Sequence, residues 1–550
     1  MARMPGWLAR AGLGVAIALV TPTSAHAATG ELELLPDPFG CLSPFNHGPD
    51  CDAAAVLNGA NSVEVTPDRR FIYVGARLNA GPDRGIAAFS RDPATGGPTQ
   101  LGDPAGCVTS SGSGGSCVDA VGFPVEGVTS ISLSPDARHL YAASFDADAV
   151  YAFRRNRSTG ALTQLAEPAG PPCISAAALE SCEVPSSGAS KLAQVADVVV
   201  SPDGENVYAT TLNGPVLTFG RDPQTGGLAF LGGANRCISD DGAGPCADGR
   251  GLASPRALAI DARGRHVYVG STVSDAIAIL DRKPSNGRLT QAANQSGCVS
   301  NTGNGGECAD AVGLDGPTDF AFSPDARFLH AAVFTQAALS SFRVDRGTGH
   351  LSQLGPGRGC LRDEDATVEP GCVAELRAAG SLSAVDVSPD GQSLYMIGAL
   401  DDAILTFARN PRTGAVRQLG GARGCVTDPE SPRPDCGQAE GLDHVGSGDL
   451  TLSAGGETLY HASEQDGALT SFVREVRCVG KPVTIFGTAE PERIRGTQQR
   501  DVIAAFGGDD VVRARGGRDR VCGGEGDDKL RGGPGRDKLR GGPGRDDVRD

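Results

Sequence analysis

A Ser-Pro-Asp turn signature returns along the chain every 60 to 68 residues, and no other feature restricts the possible folds as tightly. It reads "SPDA" at Ser134 and Ser323 and "SPDG" at Ser201 and Ser388, with degenerate copies at Thr66, Asp261 and Ser453. Proline presets the backbone angle of a tight turn and the aspartate bonds back to its own main chain, so each copy marks a reversal between two strands. The flanks agree. An apolar run such as "ADVVV" precedes the turn, and "NVYATT", "HVYVGS" or "SLYMIG" follows it. A third alternating segment comes next ("AVYAFRRN", "AILTFARN"), then a T-G-x-L-x-x-L segment and a cysteine loop. Four short strands per repeat, evenly spaced and joined by turns, predict a propeller blade. Seven turns predict seven blades.

The seventh repeat supplies "DLTLS", "TLYHAS" and "ALTSFV" but runs into Cys478 without a fourth segment. The missing phrase stands at the other end of the chain, where residues 29–41 read "TGELELLPDPFGC". An open ring leaves unpaired strand edges on its first and last sheets, and an N-terminal strand completing the last blade pairs both. The fold class expected is all-β: a seven-bladed propeller closed in this way, followed by a separate C-terminal unit.

Sixteen cysteines fall into pairs. Seven pairs have eight to eleven residues between partners: Cys41 with Cys51, Cys107 with Cys117, Cys173 with Cys182, Cys237 with Cys246, Cys298 with Cys308, Cys360 with Cys372, and Cys425 with Cys436. Cys478 and Cys522 remain for a longer loop. Zinc sites need tighter cysteine spacings or neighbouring histidines, so disulfides in an oxidising compartment are the better reading. The first 27 residues support export: Arg3 and Arg10 precede a short apolar run, and Ala25 and Ala27 form a small-x-small cleavage motif. That run is too short to span a membrane and no later segment approaches the length required. The formal charge of −17 argues against nucleic acid, because polyanion binding needs concentrated Lys and Arg. The domain reading is a signal peptide at 1–27, a propeller at 28–477 and a distinct tail at 478–550.

The blade text, with "SPDARFLHAAVFTQAALSSFRVDRGTGHLSQLG" its fullest example, resembles the lactonase-family seven-bladed propellers, which include 6-phosphogluconolactonase-like and carboxymuconate-cyclizing enzymes. The resemblance spans residues 29–475 and is mostly blade grammar, which speaks for fold before function. The family's catalytic stretch implies Pro-Arg-His entering an inner strand, with a glutamate sixteen residues after the arginine. Only "SPRALAIDARGRHVYVGST" fits that frame: Pro255 and Arg256 match, but Ala257 and Thr272 replace the histidine and the glutamate. An arginine can hold an anion but cannot shuttle a proton at neutral pH. The expectation therefore leans away from an enzyme, with Arg256 the one residue carried into the alternative. His47, His139, His266, His330, His444 and His461 read as surface or packing residues, with His139 and His266 in strand-connecting turns. Four residues before each turn, the inner strands place Ser62, Ser130, Asp197, Ala257, Asp319, Ala384 and Asp449. Asp197, Asp319 and Asp449 are thus channel candidates for a cation or polar ligand, against the plainer reading of a solvated lining with hydroxyl or water partners.

From Gly487 to Arg549 seven nonapeptides run without an insertion, ending "GGEGDDKLR", "GGPGRDKLR" and "GGPGRDDVR". They resemble the RTX (haemolysin-type) calcium-binding repeat, GGxGxDxUx, with U a large apolar residue. Position six holds Glu492, Asp501, Asp510, Asp519, Asp528, Asp537 and Asp546, and position eight an Ile, Val or Leu throughout. The resemblance implies a parallel β-roll with two repeats per coil. It implies Ca²⁺ held by Asp501, Asp510, Asp519, Asp528, Asp537 and Asp546 with backbone oxygens of Gly508, Gly517, Gly524, Gly526, Gly533, Gly535, Gly542 and Gly544. The first two repeats, which lack the glycine at position four, are expected to cap the roll. A disordered Gly/Asp/Arg tail is the competing reading, and unbroken register weighs against it.

These features predict a secreted, monomeric calcium-binding scaffold, extracellular or cell-surface associated, with an extracellular ligand (protein, glycan or small molecule) on the propeller face. The alternative is a lactonase-type hydrolase or cyclase using Arg256.

Overall fold

The structure is a computed structural model. It describes residues 30–550 except 37–38, 45–50, 78–83, 124–126, 177–178, 180, 186–188, 213, 234–235, 241, 243–244, 367–368, 430–431, 440–441, 443–447, 466 and 489–490. The predicted signal segment, Thr29, His47 and His444 lie outside the described residues.

The fold is all-β, with seven blade sheets followed by two four-stranded parallel sheets. Blade 4 shows the plan. Pro255–Ile260, His266–Ser271 and Ala276–Arg282 form an antiparallel meander. The expected single fourth strand is two short ones, Leu289–Gln291 and Cys298–Ser300, both paired to Ala276–Arg282. Beyond the second cysteine, Ala309–Asp310 pairs parallel to the cysteine strand. The split falls at residues 292–297, where "AANQSG" leaves the edge in a loop with a short 3-10 turn at Gln295–Gly297 while the third strand runs on beneath it.

The turn chemistry is local and repeated. Ser134 Oγ donates to Asp136 Oδ1 at 2.7 Å and accepts His139 N at 3.0 Å. The fourth residue of the turn adopts positive φ in every blade: Gly204 (73°), Gly264 (62°), Gly391 (63°) and Gly456 (64°), but also Arg69 (58°), Ala137 (51°) and Ala326 (52°). Glycine takes that conformation without penalty; the other three are held there by the surrounding turn.

Hydrophobic cores lie between blades. One core joins Tyr141 and Val150 of blade 2 to Val198, Val207 and Phe219 of blade 3, and the pattern repeats around the ring. A polar ring accompanies it. At five seams the second-strand tyrosine of one blade accepts Nε of the arginine ending the next blade's third strand. The pairs are Tyr73 with Arg155, Tyr141 with Arg221, Tyr208 with Arg282, Tyr395 with Arg474 and Tyr460 with Arg91, at 2.7–3.0 Å. At the seam of blades 5 and 6, His330 replaces the tyrosine and accepts Arg409 Nε at 3.0 Å. Between blades 4 and 5 the arginine position is Val344, and Tyr268 packs edge-on against Phe322 instead.

The ring closes as the sequence predicts. Leu32–Leu34 pairs antiparallel with Ala468–Arg474, Leu32 opposite Arg474 and Leu34 opposite Phe472, and Cys41–Ser43 pairs with the other half of that strand.

All eight cysteine pairs expected from spacing are disulfide-bonded. Cys41 bonds Cys51, Cys107 bonds Cys117, Cys173 bonds Cys182 and Cys237 bonds Cys246. Cys298 bonds Cys308, Cys360 bonds Cys372 and Cys425 bonds Cys436, while Cys478 reaches Cys522 in the tail. The loop pairs hold their Cα atoms 4.7–4.8 Å apart and the tail pair 5.9 Å apart, separations a disulfide spans without moving the backbone. No described cysteine is free.

The tail is a parallel roll. Strands pair with partners eighteen residues on, Ile503 with Val521 and Val521 with Leu539 in one sheet, Ile494 with Val512 and Val512 with Leu530 in the other. Two nonapeptides therefore make one coil. The position-eight residues Ile503, Val512, Val521 and Leu530 are fully buried between the sheets, whereas Val548 in the last coil is 41% exposed.

Candidate metal centre and propeller channel

The roll's carboxylates stack in two ladders. Backbone N–H groups of Glu492, Asp501, Asp510, Asp519 and Asp528 donate to Oδ1 of Asp510, Asp519, Asp528, Asp537 and Asp546, each eighteen residues ahead, at 2.8–3.1 Å. The second oxygen is another matter. Oδ2 of Asp510, Asp519, Asp528 and Asp537 is buried without a hydrogen-bond partner. Burial, aided by the negative charges of stacked neighbours, pushes Asp510 up to about 8 and Asp528 up to about 6, and raises Asp519. Buried anionic oxygens with no partner are costly, and a cation offsets that cost.

The glycines explain what else faces these oxygens. A Cβ at Gly526 would stand 2.1 Å from Gly508 O, and Cβ atoms at Gly535, Gly542 and Gly544 would stand 1.8–1.9 Å from the carbonyls of Gly517, Gly524 and Gly526. At Gly523 a Cβ would meet both Asp528 Oδ2 at 2.1 Å and Gly541 O at 2.7 Å. Carboxylate and carbonyl oxygens thus crowd the spaces that glycine leaves open. Among the described residues no three His, Cys, Asp or Glu side chains converge as a cage, so a metal here draws largely on main-chain oxygens.

Asp501 differs from its successors. Its Oδ2 accepts Thr497 N at 2.6 Å and Thr497 Oγ1 at 3.1 Å, and Glu492 Oε2 likewise accepts Thr488 N at 2.6 Å. Threonine at position two of the first two repeats satisfies what Phe506, Arg515, Gly524 and Gly533 at the same position leave open later. These repeats behave as a self-contained cap, and the orphaned oxygens begin at Asp510.

In the propeller channel the three candidate aspartates have main-chain partners. Asp197 accepts Ser130 Oγ at 2.7 Å, Val198 N at 2.8 Å and, from blade 4, Leu258 N at 2.9 Å. Asp319 accepts Phe320 N and Val385 N of blade 6; Asp449 accepts Leu450 N and Val63 N of blade 1. Asp386 makes the same bridge to Leu452 N of blade 7, at 2.9 Å. Each carboxylate pins the inner strand of the next blade. Where hydroxyl or water partners are expected from sequence, each of the three aspartates accepts one amide of its own strand and one of the neighbouring blade, and Asp197 alone adds a hydroxyl, that of Ser130.

Asp386 and Glu64 stand two residues before their turns, at a different register position from Asp197, Asp319 and Asp449, and the four-residue spacing does not reveal them. All five acids are half-buried: the lumen reaches them, but protein surrounds them on the remaining sides. Loss of hydration, then the charge of Asp449, pushes Glu64 up to about 8. Loss of hydration raises Asp449 to about 7, Asp197 and Asp386 to about 6, and Asp319 well above its usual range.

Arg256 projects from the blade 4 inner strand with its side chain exposed, near Glu464 and Arg77. Ala257 is buried against the next strand, and Thr272 is tied through its N–H to Ser254 O at 3.0 Å. His139 and His266 open the second strands of their blades rather than occupying turns, and His330 and His461 sit in strand interiors. All four are buried.

Two family models match separate parts of the chain. Residues 486–521 and 523–549 match the RTX calcium-binding nonapeptide repeat. Residues 175–302 match the family described as Lactonase, 7-bladed beta-propeller. Among solved structures the chain is similar to the periplasmic gluconolactonase of Pseudomonas aeruginosa (21% identity, 65% of this chain and 84% of that one, TM-score 0.43). It is also similar to a β-propeller domain from Myceliophteria thermophila (11%, 75% and 96%, TM-score 0.44) and to Kuenenia stuttgartiensis hydrazine synthase (12%, 77% and 96%, TM-score 0.43). No curated protein matches the chain. The RTX match covers every coil that carries an orphaned Oδ2 oxygen. Asp510, Asp519, Asp528 and Asp537, with the glycine carbonyls stacked against them, are a donor set of hard oxygens suited to Ca²⁺.

Proposed function

We propose that this chain is an exported binding or scaffold protein, with a disulfide-pinned propeller at 28–477 and an RTX roll at 478–550 that folds around calcium. One observation carries the calcium reading: four buried carboxylate oxygens in strict register, each without a partner. Bound Ca²⁺ supplies the positive charge those oxygens lack. The chain's own residues position it by stacking Asp510 over Asp528 and Asp519 over Asp537.

The charge count, disulfides and leader-like N-terminus support an extracellular setting. The seven cysteine loops support a ligand-presenting face, since loops on a rigid scaffold are where binding residues concentrate. Calorimetric titration of the full chain with Ca²⁺, beside a D519A/D528A/D537A variant, tests the reading. Saturable binding that the triple variant loses is expected, and equal binding by both chains refutes it. The lactonase-type alternative draws on the family match and on the exposed Arg256, and it requires turnover of a lactone that R256A abolishes.

A further inference from the structure

The seam arginines make a third contact, and one of them lacks it. Nη2 of Arg91, Arg155, Arg221, Arg282 and Arg474 lies 2.6, 3.9, 3.7, 2.9 and 2.5 Å from a carboxylate on the turn of the preceding blade, namely Glu457, Asp68, Asp136, Asp203 and Asp390. At the seam of blades 5 and 6 the equivalent acid is Asp325. That carboxylate is taken by Arg327 Nε and by the hydroxyl of Ser323. Arg409 bonds His330 through Nε and Gly391 O through Nη1, and its Nη2 is buried without a hydrogen-bond partner, as is that of Arg155, which however keeps the Asp68 carboxylate 3.9 Å away.

An acid without a hydrogen-bond partner comes from the roll. Glu525 stands at position three of "GGEGDDKLR", where the other repeats carry Ala, Gln, Gly or Pro. It is 8% exposed, and neither of its oxygens has a hydrogen-bond partner. Its Oε1 lies 3.5 Å from the position of a Cβ on Gly391, the glycine whose carbonyl Arg409 holds. Arg409 and Arg327 are the attractive charges that it faces, and Asp325 and Asp390 the repulsive ones. A second contact, Arg69 Nη1 to Phe486 O at 3.3 Å, seats the start of the roll on the turn of blade 1.

We infer that the roll docks on the turn face of the propeller and that Glu525 supplies the missing acid of the seam between blades 5 and 6, so that calcium loading of the tail tightens that seam. The inference rests on the calcium reading above. Glu525 ends the strand Arg520–Glu525, whose place depends on the coils on either side, so an unfolded roll withdraws the carboxylate.

Hydrogen exchange on the full chain, in Ca²⁺ and in chelator, tests it. In the parent, calcium is expected to slow exchange in residues 388–393 and 404–409 by about tenfold, the size of one charged contact. The variants E525Q and E525A should lose that slowing while their roll amides, residues 501–531, respond to calcium as in the parent. Retained slowing in both variants, or a parent whose roll responds while the seam does not, overturns the docking role alone. Roll amides indifferent to calcium overturn this inference and the calcium reading together.

Discussion

Tyr395 of blade 6 donates its hydroxyl hydrogen bond to the carbonyl of Gly30 at 2.8 Å, across 365 residues of sequence. Tyr73, Tyr141 and Tyr208 make the same bond to Gly160, Gly226 and Gly287 in the blades that follow them. Gly30 therefore occupies, in blade 7, the place that an internal residue fills elsewhere. Deleting residues 29–35 should leave Ala468–Arg474 with an open edge and Tyr395 without its acceptor. A lower melting temperature or aggregation is expected. A truncated monomer melting cooperatively at the parent temperature would show that this strand does not close the ring.

Arg474 is fully buried and holds Asp390 at 2.5 Å, Tyr395 at 3.0 Å and Gly456 O at 3.2 Å. R474A strands a buried carboxylate, so it should cost about 3–5 kcal/mol. Urea denaturation reads the cost directly, and a loss below about 1 kcal/mol would place Asp390 in water.

The channel acids give stability a pH dependence. Their folded-state values lie above the unfolded ones, so folding favours the protonated form. That contribution is full below about pH 4, the unfolded range, and is lost as pH rises through the folded values of about 6 for Asp197 and Asp386, 7 for Asp449 and 8 for Glu64. Buried neutral histidines act in the opposite sense: His139, lowered to about 4, and His461, lowered to about 3, mainly by burial, weaken the fold as pH falls below their unfolded value. An E64Q/D449N variant isolates the acids. Relative to the parent, its unfolding midpoint should rise between pH 5 and 8.5, and a pH-independent difference would contradict the assignment.

With Ala257 and Thr272 where the lactonase frame needs a proton carrier, sugar-acid and muconate-type lactones should show no turnover above background. Robust hydrolysis abolished by R256A would make the propeller an enzyme.

Magnesium should replace calcium poorly in the roll, because it demands a tighter octahedral shell and sheds water reluctantly. Proteolysis of the full chain at matched ion concentrations is the check: protection of residues 505–549 by calcium and not by magnesium is expected, and equal protection would exclude a site of calcium's size.

Much of this molecule is legible in its sequence because its signals are local. The turns, the seven loop cysteine pairs and the nonapeptide each complete themselves within a dozen residues. Even the displaced strand at 29–35 shows as a phrase missing from one end and present at the other. The arginine–tyrosine staples were not legible, since Arg155 and Tyr73 stand 82 residues apart and neither is unusual in a strand. Asp197 illustrates the limit from the other side. Sequence placed it in the channel, but its role follows from reaching Leu258 N in the next blade, a distance set by how the blades pack. Glu525 was visible as an odd letter in the repeat, yet its meaning required the propeller beneath it.

The seven loop disulfides, from Cys41 with Cys51 to Cys425 with Cys436, span only nine to twelve positions each, and every one closes within its own blade. Each loop consequently has its own covalent anchor, to which Arg250 and Arg377 add hydrogen bonds reaching Glu307 O and Asp435 O in the cysteine loop of the next blade. Insertion, shortening or wholesale exchange of one leaves the anchors of the other six in place. The rim is a set of interchangeable cassettes on a common frame, able to diversify one address at a time.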